Sequence, residues 1–127
     1  MLAARLCFTI AIAAISVSCQ RLSPEEEKVV GTWEFSGIDF TNRVVFHRNH
    51  KSEVLHARDD GLLAKMSPWA AMSRGTWRLE GDTIVTDEQI LIGPEPRERR
   101  VTRIKIFEFR PNELVREARR DPFHRVK

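Results

Sequence analysis

Three histidines fall close together in the stretch FHRNHKSEVLH, at His47, His50 and His56. Imidazoles on two strands flanking a turn are what a zinc site would use, but HxxH without a third fixed cysteine or carboxylate is a weak pattern. Arg48-Asn49-His50-Lys51 reads as the turn itself, with Asn49 suited to a positive φ. The histidines are therefore read as surface turn residues, with no metal site. Asp59-Asp60 beside Gly61 reads as another turn rather than an acid–base pair. The chain has no GxSxG, no HExxH, no phosphate-binding glycine loop and no tyrosine. Nothing here asks for an enzyme, and no cofactor is implied.

Charge is the second chemistry on offer. Residues 19–96 hold 9 Lys/Arg against 13 Asp/Glu, whereas residues 97–127 hold 11 against 5. Arg99, Arg100, Arg103 and Lys105 head the basic stretch, which extends from Arg97 to Arg119, Arg120 and Arg125. Such a face would attract anionic lipid head groups or polyanionic envelope polymers. The other reading is a solvated outer face of two strands, paired with neighbouring glutamates. Phe107 and Phe109 as stacking platforms would suit a nucleic acid, but the leader described next argues for export, so no nucleic-acid partner is assigned.

The third chemistry is a thiol. The opening MLAARLCFTIAIAAISVSC has one basic residue, Arg5, and an apolar run of 12 residues from Leu6 to Val17 broken only by Thr9 and Ser16. That run is short of the roughly 20 residues a membrane-spanning helix needs and suits a secretory signal peptide over 1–18. Small Ser16 and Ser18 stand at the −3 and −1 positions of a cut before Cys19. The segment Ser16-Val17-Ser18-Cys19 resembles a bacterial lipoprotein lipobox, with serine where leucine is commonest. The resemblance implies lipidation at Cys19, and Gln20 after it implies passage to the outer membrane, facing the periplasm. Cys7 leaves with the signal, so the mature chain keeps one cysteine, which such a thioether would explain.

The elements that would position these groups are strands. Residues 19–28 read as a polar, lipid-anchored tether, and 119–127 as a polar tail. Between them, over 29–118, apolar residues recur every second position. Val29, Gly31, Trp33 and Phe35 share one face of a first strand. Strands near 42–48, with Val44 and Phe46 on one face, and near 51–57, with Val54 or Leu55 inward, follow. Gly75, Trp77 and Leu79 begin a hairpin over 74–87 that turns at Gly81-Asp82 and puts Ile84 or Val85 inward. RRVTRIKIFEFR is the longest alternating stretch, with Ile104 and Ile106 on one face and Phe107 and Phe109 on the other. A turn at Pro111-Asn112 leads to NELVR. The tripeptide Gly-Thr-Trp occurs twice, at Gly31 and Gly75. A glycine two residues before an inward indole lets a neighbouring backbone or a bulky side chain approach there.

The alternation breaks over 58–73. Ser67 and Pro68 read as a helix start, and Leu62, Leu63, Met66, Trp69 and Met72 are spaced for one apolar face, giving a short helical insert near 60–73. It lies over one end of the sheet, as a plug or as a ligand-binding lip. The expected fold is thus all-β: a small antiparallel meander of about seven to eight strands, closing into a barrel or half-barrel.

GTWEF, GTWRLEGDTIV and RIKIFEFRPNELV together resemble small bacterial lipocalin-like, calycin-type lipoproteins over residues 29–116. The resemblance implies a non-enzymatic, lipid-anchored envelope protein that binds a small hydrophobic ligand, though no ligand residue carries over from the family. The candidates for ligand contact or core, read from the sequence, are Trp33, Phe35, Phe46, Met66, Trp69 and Trp77. The alternative is a structural or interaction lipoprotein that meets anionic envelope components or a protein partner through Arg99, Arg100, Arg103 and Lys105.

Overall fold

A computed structural model describes residues 21–58, 61–92, 98–116 and 121–127. The expected signal peptide, Cys19, Asp59, Asp60, Arg97, Arg119 and Arg120 lie outside the described residues. Eight antiparallel strands follow one another in sequence order: β1 (Gly31–Ser36), β2 (Thr41–Phe46), β3 (Lys51–Ala57), β4 (Trp69–Glu80), β5 (Thr83–Ile90), β6 (Arg99–Arg110), β7 (Glu113–Arg116) and β8 (Phe123–Arg125). β8 pairs back onto β1 through Trp33 and Arg125, so the meander is a closed barrel. Helix α1 (Pro24–Val29) precedes β1, and α2 (Gly61–Met66) joins β3 to β4.

Successive turns of a meander alternate between the ends of a barrel. The turns at 47–50, 81–82 and 111–112 therefore share one end with α1, and the described stretches 37–40, 61–68 and 91–92 share the other. The first end is closed. Val29, Trp33, Phe46, Trp77, Ile84 and Leu114 are buried there in one cluster, and Phe46 meets Trp77 edge to face at 5.6 Å between ring centres. Each indole is polar at its tip, and each tip is bonded: Trp33 Nε1 donates to the Val29 carbonyl and Trp77 Nε1 to the His47 carbonyl, both at 2.9 Å.

The two glycines of the repeated tripeptide do what their spacing suggests. A Cβ on Gly75 would stand 2.7 Å from Glu88 Cα, so the glycine lets β5 come close to β4. A Cβ on Gly31, whose φ is +138°, would stand 2.7 Å from Arg125 Nη1. That guanidinium lies 4.2 Å over the Trp33 ring and donates to the carbonyls of Val30 and Lys28, each at 3.0 Å.

Several expectations are corrected. The stretch read as a polar tether contains α1, opened by a capping box in which Ser23 Oγ accepts from Glu26 N and Ser23 N donates to the Glu26 carboxylate. Val29 ends that helix instead of starting β1. Ser67 caps nothing; its hydroxyl donates to the Trp69 carbonyl at 3.4 Å. The helical insert is only α2, and Trp69 and Met72 belong to β4. The positive φ of the 47–50 turn falls on His50, at 65°, not on Asn49. The supposed tail holds β8, with Phe123 buried. A shift of register between Ile106 and Glu108 turns Phe109 to the same core as Ile104 and Ile106, leaving Phe107 exposed.

Candidate functional site

One rung of the barrel builds an unusual interior. Cross-strand pairing aligns Phe46 with Ser52, Ser52 with Gly75, Gly75 with Glu88, and Glu88 with Arg100. Because Gly75 contributes no side chain, Ser52 on β3 reaches across β4 and donates to Glu88 Oε2 on β5 at 3.2 Å. Among the described residues the buried polar ones are Ser52, Ser73, Thr86 and Glu88, with Glu88 only 6% exposed. They form one cluster: burial pushes the Glu88 carboxyl above the usual carboxylate range, and hydrogen bonds from Ser52, Thr86 and Ser73 hold it partly back. Among the described residues no cation stands within ion-pair distance of Glu88.

Two cavities meet at this cluster. One, of about 420 Å³, is walled by Phe35, Val44, Val54, Ile104 and Phe123. The other, of about 480 Å³, continues past Asn42, Met72, Ser73, Ile90 and Arg100. Phe35, Val54, Thr102 and Glu88 line both. Such volumes fall in the range of small-molecule sites, which are mostly apolar with a few placed polar groups. Arg116 also borders the first cavity; its guanidinium is 4.3 Å from the Phe123 ring centre, and its Nε donates to the Asp121 carbonyl. The surrounding loops are apolar and exposed: Ile38, Phe40, Leu62, Met66, Leu91 and Ile92 all stand at this end.

The candidate residues separate accordingly. Phe35 lines the cavities, whereas Trp33, Phe46 and Trp77 are closed-end core. Met66 is 77% exposed, and Trp69 is half-buried beneath Arg43, 4.1 Å from its ring centre; neither lines either cavity. Of the four basic candidates, Arg99 bonds Asp87 at 2.9 Å and Arg103 bonds Glu80 at 2.9 Å. Lys105 Nζ lies 6.0 Å from the Phe107 ring centre. Arg100 falls on the opposite face of β6 from these three and borders the second cavity. The three histidines go to different partners: His47 to Glu53, His50 to Glu26 and His56 to Asn42. Among the described residues no group of three or more histidines, cysteines and carboxylates is arranged to hold a metal ion.

Glu88 and its hydroxyls are the site residues the sequence reading misses. A signal for them exists. With Trp77 inward and a two-residue turn at Gly81-Asp82, the hairpin register sets Thr86 opposite Trp77 and Glu88 opposite Gly75, which places both inside.

No known family's sequence profile matches the chain, and no curated protein matches it. In three dimensions it is similar to the crystal structure of a lipocalin-like protein from Bacteroides thetaiotaomicron VPI-5482, with a TM-score of 0.54 and 13% identity, over 78% of this chain and 97% of that one. Together with the closed eight-stranded barrel, this makes the fold lipocalin-like.

Proposed function

We propose that this barrel binds a small, mainly apolar molecule inside its open half. The observation that carries the reading is the pair of cavities walled by Phe35, Val44, Val54 and Phe123 and meeting at the Glu88 cluster. The ring of exposed apolar side chains around that end supports it, since such a rim gives an apolar solute a favourable path inward. Binding is the reading adopted because the Ser52–Glu88 pair stands in the wall of two cavities lined mainly by apolar surface.

The chain is further proposed to act from the bacterial envelope, tethered through a lipid on Cys19; the support is the lipobox-like Ser16-Val17-Ser18-Cys19. Mass spectrometry of the N-terminal peptide should find the acylated cysteine. An interaction role for the basic strand is not adopted, because Arg99 and Arg103 are already paired with Asp87 and Glu80.

The test is uptake of an apolar fluorescent probe by the full chain. Uptake should be saturable and should be lost in Val54→Trp, which fills the space both cavities share. Absence of uptake, or uptake undiminished in that variant, sinks the reading.

A further inference from the structure

Which polar group such a ligand carries follows from what Glu88 lacks. A carboxylate has about four lone-pair directions. The Ser52 hydroxyl donates to it at 3.2 Å, with the buried hydroxyls of Ser73 and Thr86 beside it, yet Glu88 still forms part of the wall of both cavities. Acceptor capacity is therefore left turned toward open volume. The hydroxyls are neutral, so among the described residues no counter-ion offsets the carboxylate charge that burial disfavours. The rung is built around this arrangement, because Gly75 clears the position between Ser52 and Glu88.

Four bases border the cavities. Arg116 is engaged with Phe123 and the Asp121 carbonyl. Arg100 is exposed, is the cross-strand neighbour of Glu88, and makes no ion pair with it. Arg103 and Lys105 border the first cavity from β6, with Arg103 held by Glu80. Among the described residues the buried ionisable group of the lining is thus the acid; Arg116 is half-buried against Phe35 and Phe123, and Arg100, Arg103 and Lys105 are exposed.

We propose that the cavity takes an apolar molecule bearing a protonated amine, whose ammonium group bonds the Glu88 carboxylate while its hydrocarbon part lies against Phe35, Val54 and Phe123. The proposal rests on the ligand reading above and names the head group that the site selects.

The test is displacement of the bound fluorescent probe from the full chain by n-decylamine, n-decanol and decanoate at neutral pH. The amine should bind roughly ten- to a hundredfold tighter than the alcohol, as a hydrogen bond to a charged group implies. Glu88→Gln should abolish that preference, so that amine and alcohol bind alike. Tightest binding by decanoate would overturn the proposal in favour of Arg100 and Arg116, and so would an amine preference that survives in Glu88→Gln. Should that variant fail to fold, the order of the three compounds on the unaltered chain decides. If the probe enters but the amine has no advantage, only the head-group assignment falls; if the probe and all three compounds fail to bind, the ligand reading falls with it.

Discussion

Two helices of six residues stand at opposite ends of one barrel, and among the described side chains only those of the first fasten it to the core. Helix α1 carries a complete capping box and buries Val29 in the core. Its Glu27 takes a two-pronged bond from Arg48 at 2.6 and 2.7 Å, and its Glu26 bonds His50. Helix α2 opens on Gly61, has no acidic residue in its first turn and leaves Leu62 and Met66 in solvent. Helices this short do not hold themselves in water, so tertiary partners decide the difference. Among the described residues one end of the barrel is packed shut and the other is lined by cavities.

The sharpest way to break that contrast is to remove an indole from each half. Trp77→Ala should lower the unfolding free energy by about 3–5 kcal/mol, as large aromatic truncations in a core do. Trp69→Ala, on a half-buried ring beneath Arg43, should lower it by less than about 1 kcal/mol. Urea melts of the two variants measure both. Equal losses would mean that the open half is packed as tightly as the closed one.

The two Ser-Pro pairs sharpen the comparison at the next level down. Ser23→Ala should destabilise by about 1 kcal/mol, the usual value of an N-cap, while Ser67→Ala should leave the melt nearly unchanged because that hydroxyl caps no helix. The same pairs show what was readable beforehand. Ser23-Pro24-Glu25-Glu26 contains the capping-box pattern in plain sequence, but its polarity suggests a tether until Val29 is seen beneath the barrel. Ser67-Pro68 looks like an equally good start, and nothing local says that Trp69 continues into a strand of 12 residues.

Most of the meander is legible because alternation needs only a wet face and a dry one, as at Trp33 and Phe35 or at Ile104 and Ile106. Where both faces are apolar, it stops deciding. Ile84 and Val85 are both fully buried, and only pairing with β4 tells that Ile84 shares the inside with Thr86 and Glu88. β8 is three residues long, too short for any periodicity.

Acid titration separates the ends by sign. Glu26 is held below the usual carboxylate range, first by its bond to His50. Its folded-state pKa is thus lower than in the unfolded chain, and the stability it contributes is lost as pH falls through that lowered value. Glu27 and Glu80, bonded to arginines, slope the same way. Glu88 is held above the range by burial, so the folded chain binds that proton more tightly than the unfolded one, and stability rises as pH falls through the raised value. Melting temperature against pH should therefore rise first and decline later. Glu88→Gln should remove the rise, and Glu26→Gln should blunt the decline.

The smallest effect probes the rim itself. Leu62→Ser and Met66→Ser together remove two large apolar side chains, which in a core would lower stability by several kcal/mol. Here both are largely exposed, so they have little transfer free energy to lose, and each change should shift the urea midpoint by less than about 0.5 kcal/mol equivalent. A larger loss would mean that α2 packs as α1 does and that the barrel is plugged at both ends. A negligible loss combined with slower probe uptake in stopped-flow fluorescence would assign these side chains to the path a ligand takes, since a rim that adds nothing to folding but speeds access is acting on the solute rather than on the fold.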